Sequence, residues 1–73
     1  MSRLPNISGK KAVKAFCKAG WIISRQKSSH MILTKSDSIV ILSVPLHDEL
    51  DRGTLRGLIG MAGMTVEEFL ELL

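Results

Sequence analysis

The chain contains few of the residues that cross-link a protein or stack against ligands. It has one cysteine, two prolines, no tyrosine and only three aromatic residues among 73. Cys17 cannot form an internal disulfide, and no Cys/His cluster has the spacing of a zinc site. The longest apolar run, residues 39–42, is far shorter than a membrane span of about 20 residues. The first five residues also lack the apolar stretch of a secretory signal. We therefore expect a reduced, soluble, cytoplasmic protein that does not enter a membrane.

The length limits how much structure the chain can build. Surface scaling for a chain of 8.0 kDa leaves roughly 60% of the surface buried on folding, which is enough for one domain with a thin two-layer core. We expect that domain to span residues 1–73. A two-domain enzyme is excluded, as is a fold that encloses a large cofactor cavity, so no cofactor is expected.

Acidic residues are missing from the first half of the chain. Residues 1–36 carry eight Lys or Arg and no Asp or Glu, whereas residues 37–73 carry two Arg and seven acids, so +8 and −5 sum to the net charge of +3. A basic half of this kind points to a polyanionic partner such as a nucleic acid. The plain alternative is a solvated charged surface.

Capping and glycine signals predict a first helix over residues 9–19. Ser8 is a typical N-cap residue, and Gly20 suits the left-handed position that ends a helix. Val13, Phe16 and Cys17 recur at helical spacing and form a buried stripe, so Cys17 is interpreted as a small core residue. Four lysines fall within about 100° of arc on the other side of this helix: Lys10, Lys11, Lys14 and Lys18.

The rest of the chain predicts three strands and two helices. The strands are expected over residues 21–26, 30–35 and 39–44, with turns at 27–29 and 35–38, and the helices over 54–62 and 66–72. A capping box at 65–68 begins the last helix. The order α-β-β-β-α-α predicts an α+β two-layer sandwich, in which helices cover one face of a three-stranded antiparallel sheet.

The chemistry of the chain centres on His30. Alternation along the second strand places His30, Ile32 and Thr34 on the open face of the sheet, opposite Met31 and Leu33. Just before His30, the run Arg25-Gln26-Lys27-Ser28-Ser29 supplies two cations, an amide and two hydroxyls. Cations and hydroxyls bind phosphate, and imidazole exchanges protons near neutral pH.

RNA is the polyanion that this combination suits, because its 2′-OH is a built-in nucleophile and cleavage requires no metal in principle. The plain alternative is a histidine that only forms hydrogen bonds at the edge of the sheet, and one histidine does not decide between them. His47 lies in an acidic loop, where a structural role is the simpler interpretation. Trp21 follows a helix end and begins a strand, so we expect it in the core and not as a platform for bases.

Several short motifs, in their order along the chain, resemble the HicA toxin family of bacterial and archaeal toxin–antitoxin systems. They are Leu4-Pro5, Ser8-Gly9, Ala15-Phe16, Gly20-Trp21, the run from Arg25 to His30, Val44-Pro45-Leu46-His47, Gly53-Thr54-Leu55-Arg56 and Met64-Thr65-Val66-Glu67-Glu68-Phe69.

The resemblance implies a fold like that of double-stranded-RNA-binding domains and the activity of an mRNA endoribonuclease, which a HicB antitoxin inhibits. The catalytic histidine of the family corresponds to His30. Ser28 stands where the family commonly has glycine, and serine would cost about 1 kcal/mol there if the turn requires a positive φ.

These considerations lead to three hypotheses. In the first, the chain is a metal-independent endoribonuclease, with His30 as general base or acid. Its expected RNA contacts are Arg25, Lys27, Ser28 and Ser29 at the phosphate and Lys10, Lys11, Lys14 and Lys18 along the backbone. We then expect the antitoxin to cover His30 and to bring acidic groups to the lysines. The second hypothesis is a non-catalytic RNA-binding module of the same fold, and the third is a protein-interaction subunit that binds no RNA.

Overall fold

The computed structural model describes residues 4–73. Residues 1–3 lie outside this range. They include Arg3, one of the eight basic residues of the first half, and the start of the segment considered as a secretory signal. The predicted α+β order is confirmed. The six elements are α1 (Gly9–Lys18), β1 (Ile22–Lys27), β2 (His30–Thr34), β3 (Leu42–Pro45), α2 (Arg52–Met61) and α3 (Val66–Leu70).

The ends of α1 follow from its capping residues, as predicted. The Ser8 side chain accepts a hydrogen bond of 3.1 Å from the Lys11 backbone N–H. At the other end Gly20 has φ +104°, and its N–H donates to the Cys17 carbonyl at 3.0 Å. The next N–H, of Trp21, donates to the Phe16 carbonyl at 3.1 Å, which completes a Schellman motif. This motif ends the helix and directs the chain into β1.

The two C-terminal helices begin with side-chain caps. The Asp51 carboxylate accepts from the Thr54 N–H at 3.1 Å, so α2 begins at Arg52, two residues earlier than predicted. The expected capping box of α3 is confirmed: Thr65 and Glu68 exchange hydrogen bonds of 2.8 and 3.1 Å. This last helix ends at Leu70, two residues before the predicted end.

The three strands form an antiparallel sheet in the order β1-β2-β3. The prediction that the third strand begins at Ile39 is wrong, because pairing with β2 begins only at Leu42. The physical reason is local: the Ser38 N–H donates to the Lys35 carbonyl, and the Ser38 hydroxyl accepts from the Val40 N–H. These short-range bonds compete with ladder bonds, so residues 35–41 form a longer loop in which Ile39 is fully exposed.

One face of the sheet packs against the helices. Leu33, Leu42 and Val44 are completely buried there. Phe16 of α1 and Phe69 of α3 meet in the same core, with their ring centroids 5.0 Å apart. The other face of the sheet carries no helix and is the face on which the candidate site lies. No helix within residues 4–73 has the length and apolar character needed to cross a bilayer.

Trp21 belongs to the core, as the sequence predicts. Its side chain is only 3% exposed. The Lys35 ammonium lies 5.9 Å from the centroid of its ring. Since Phe16 and Phe69 are buried as well, every aromatic side chain of this chain is inside the protein and none can stack on a nucleic-acid base.

Candidate nucleic-acid interface

The strand register places the candidate residues in rows across the open face of the sheet. In antiparallel strands, residues directly opposite each other project from the same face. The first row contains Lys27, His30 and Pro45. The second row contains Arg25, Ile32 and Ser43, and the third pairs Ile22 with Thr34. Because the alternating residue Leu33 is fully buried, these rows face away from the core, as predicted for His30, Ile32 and Thr34.

A bulge in β1 places Ile23 on the face of the sheet opposite Arg25 and Lys27, which share the open face with His30. The register shifts between Ile23 and Arg25, with Ser24 as the extra residue. Without this shift, strict alternation would place Ile23 on the same face as Arg25 and Lys27. With the bulge, Ile23 lies opposite Leu33, on the helix side of the sheet. The sequence contains no signal for the bulge, since Ser24 is an ordinary strand residue and not a glycine.

The turn before His30 is held from two sides. Residues Lys27 and His30 pair across it, and Ser28 has φ +58°. Positive φ at the first central residue alone is the pattern of a type II′ turn, a position that favours glycine. The Ser29 carbonyl accepts a 2.8 Å hydrogen bond from the Leu46 N–H beyond β3. The Ser28 carbonyl accepts from the Gln26 amide at 3.3 Å. The turn therefore does require a positive φ at Ser28, and serine is strained there compared with the glycine that the family commonly has.

His30 lies in an open pocket of about 350 Å³ on this face. Its lining consists of Lys27, Ser28, Ser29, His30, Ile32 and Ser43. The imidazole is half-buried, whereas the two serines and Lys27 are exposed. The pocket thus combines one imidazole, one ammonium group and three hydroxyls, a set that can hold a phosphate and exchange a proton beside it.

Ser43 and Ile32 are members of this pocket that reasoning from the sequence did not select. Ser43 lies on β3 directly opposite Ile32, and both are next to the His30 row. Alternation along β2 already places Ile32 on the face of His30, but the position of Ser43 depends on the register between β2 and β3, which the sequence alone does not reveal.

The lysines of α1 occupy a different surface. All four are exposed, as predicted, but α1 packs on the helix side of the sheet, away from His30. The Lys18 ammonium donates to the Leu72 carbonyl at 3.2 Å. The expected RNA contacts therefore form two groups: Arg25, Lys27, Ser28 and Ser29 lie with His30, and Lys10, Lys11, Lys14 and Lys18 lie on the helix layer.

His47 lies apart from the pocket of His30. Its side chain is exposed, and its carbonyl accepts a 2.9 Å hydrogen bond from the Gly9 N–H. It lines a separate pocket of about 440 Å³ with polar residues that include Asn6 and Arg52, which share a hydrogen bond of 3.2 Å. Across residues 4–73, no three His, Cys, Asp or Glu side chains form a group that could hold a metal ion.

Fold and site together define a small α+β protein with a histidine, cations and hydroxyls on an open sheet face. The family model described as "HicA toxin of bacterial toxin-antitoxin" matches residues 9–64, and the chain belongs to that family. The resemblance seen in the sequence motifs is thereby confirmed.

A solved structure supports the same assignment. One chain of the structure described as "Toxin-Antitoxin complex from Streptococcus pneumoniae" is 34% identical and superimposes with a TM-score of 0.70. The match covers 80% of this chain and 98% of that chain. A search of curated proteins gave no match.

Proposed function

We propose that this HicA-family toxin is an endoribonuclease that cleaves mRNA with His30 and without a metal ion, and that a HicB-type antitoxin inhibits it. The observation that supports this proposal best is the pocket in which the half-buried His30 imidazole lies beside Lys27, Ser28 and Ser29. Arg25 projects from the same face in the adjacent row. We place the protein in the cytoplasm, where mRNA is available, and treat residues 1–73 as one toxin domain.

The proposed reaction uses the nucleophile that RNA itself carries. His30 removes the proton from a ribose 2′-OH, and the 2′ oxygen attacks the adjacent phosphorus. The bond from phosphorus to the 5′ oxygen breaks, and that oxygen leaves with a proton, which the protonated imidazole can return. The products are a 2′,3′-cyclic phosphate and a 5′-hydroxyl, so no water molecule or redox partner is consumed in this step.

The other residues of the pocket stabilise charge at the phosphate. Lys27 and Arg25 supply cations for the non-bridging oxygens, and Ser28 and Ser29 supply hydroxyl donors. Lys10, Lys11, Lys14 and Lys18 attract the RNA backbone from the helix layer, a contribution that does not depend on base sequence and weakens in salt. Since all three aromatic side chains are buried, base stacking makes no contribution from this chain.

Incubation of the protein with a defined transcript in EDTA tests this proposal. We expect discrete fragments with cyclic phosphate ends, and no cut at a site where the 2′-OH is replaced by hydrogen. A His30→Ala preparation controls for contaminating nuclease. Retention of intact RNA without products would instead support the alternative function, a non-catalytic RNA-binding module of the same fold. Failure to retain RNA at all would favour a protein-interaction subunit.

A further inference from the structure

We propose that the groove between α1 and β1 is a second docking site, which binds an acidic segment of the antitoxin carrying one apolar anchor side chain. This inference rests on the proposed function insofar as it takes an antitoxin to be the partner. The groove has a volume of about 510 Å³ and is lined by Lys10, Lys11, Val13, Lys14, Cys17 and Ile23. It lies on the helix side of the sheet, away from the pocket of His30.

The floor of the groove is apolar and open to solvent. The β1 bulge turns Ile23 toward α1, yet Ile23 remains 48% exposed. Cys17 beside it is half-buried, and no segment within residues 4–73 covers the groove. Covering apolar surface of this kind is favourable, so an occupant that brings an apolar side chain would gain binding free energy here.

The charged residues that line the groove favour a negatively charged occupant. Three exposed lysines surround the apolar floor, and the lining contains no acidic residue. Charge complementarity therefore calls for carboxylates on either side of the apolar anchor. A nucleic-acid backbone matches the charge but offers no apolar side chain for the floor, so an acidic protein segment fits the groove better than RNA.

The position of the groove adds a second point of attachment to the toxin. β1 is an edge strand, with the groove on one side and the row of Lys27 and His30 on the other. An antitoxin that covers His30 and also fills the groove contacts β1 on both faces of the sheet. Linked engagement of two sites increases affinity beyond either site alone.

Binding of the co-expressed antitoxin to paired variants tests the groove. We expect Ile23→Ser and Lys14→Glu each to weaken the antitoxin Kd by about tenfold, the usual effect of losing an anchor or a buried charge partner. The matched controls are Ile39→Ser, whose side chain is fully exposed elsewhere, and Arg56→Glu, which replaces an exposed cation on α2 outside the groove. Both controls should stay within about twofold of the unmodified protein, as exposed positions outside an interface do.

Cys17 provides a second readout that needs no substitution. Its reaction rate with a maleimide should fall on formation of the complex if the groove is filled. Thermal melts exclude misfolded variants. The inference is overturned if the groove variants bind antitoxin normally, whether or not they lose retention of a 20-nucleotide RNA, or if Cys17 stays equally reactive in the complex. RNA cleavage by the unmodified toxin is measured in a separate assay. If the protein proves not to be an endoribonuclease, the binding data still show whether the antitoxin occupies the groove.

Discussion

Replacing Ser28 with glycine should make the protein more stable and less active at the same time. Ser28 is the one non-glycine residue within residues 4–73 that has a positive φ, at +58°. Its hydroxyl belongs to the pocket that we assign to the scissile phosphate. The backbone strain and the proposed phosphate contact therefore reside in the same residue, and one substitution removes both.

The expected gain in stability follows from two opposing terms. An L-residue in the left-handed region costs roughly 1–2 kcal/mol, which glycine avoids. Glycine gives the unfolded chain extra conformational freedom, which offsets roughly 0.5–1 kcal/mol of that gain. The net increase in the free energy of unfolding is therefore about 0.5–1 kcal/mol. For a domain of this size, that corresponds to a rise in Tm of roughly 2–8 °C.

Thermal and urea unfolding of Ser28→Gly and Ser29→Gly provide the measurement. Ser29 is the matched control, because it is exposed in the same turn but does not have a positive φ. In Ser29→Gly only the entropic term remains, so its Tm should fall slightly. Cleavage by Ser28→Gly should drop by about tenfold, as expected for the loss of one hydrogen bond to a charged group. Equal Tm shifts in the two variants, or a lower Tm for Ser28→Gly, would refute the strain argument.

Three further predictions concern packing, capping and salt. Gly9→Ala places a methyl group against the Pro45 carbonyl oxygen and should lower stability by at least about 2 kcal/mol, whereas Gly60→Ala, with open space around it, should raise stability by about 0.5–1 kcal/mol. Urea unfolding compares the two, and equal effects would contradict the close packing at Gly9. Thr65→Ala removes the α3 cap and should cost about 1 kcal/mol in the same assay, and no change would mean that the capping box is dispensable. Replacing Lys10 and Lys14 with glutamine should flatten the plot of log kcat/KM for RNA against log salt by about 1.4, or 0.7 for each lost single-strand contact. An unchanged slope would show that Lys10 and Lys14 do not contact the RNA backbone.

The sequence predicts which residues of β2 lie on the open face of the sheet, because this depends only on alternation between neighbouring residues. Alternation around the apolar Leu33 suffices to place His30 and Ile32 outside, and the helix caps at Ser8 and Thr65 are equally local signals. The features that the sequence does not reveal depend on pairing between segments. The bulge at Ser24 places Ile23 and Arg25 on opposite faces of the sheet, and it is visible only in how β1 pairs with β2.

The β3 boundary illustrates how a local bond can override propensity. Residues 39–41 are all β-branched and predict a strand, but the Ser38 hydroxyl bonds to the Val40 N–H and pairing begins only at Leu42. Likewise, the separation of the α1 lysines from His30 follows from which face of the sheet the helix covers. Composition shows that the first half is basic, but not that its charges form two surfaces.

The rate of RNA cleavage by His30→Ala measures whether the His30 imidazole moves a proton in the reaction. His47→Ala is the matched control, because His47 is an exposed histidine in a separate pocket. With thermal melts confirming that both variants fold, we predict a rate lower by about 10²–10⁴-fold for His30→Ala and an unchanged rate for His47→Ala. If a folded His30→Ala protein cleaves RNA at the full rate, the imidazole of His30 is not the group that moves the proton.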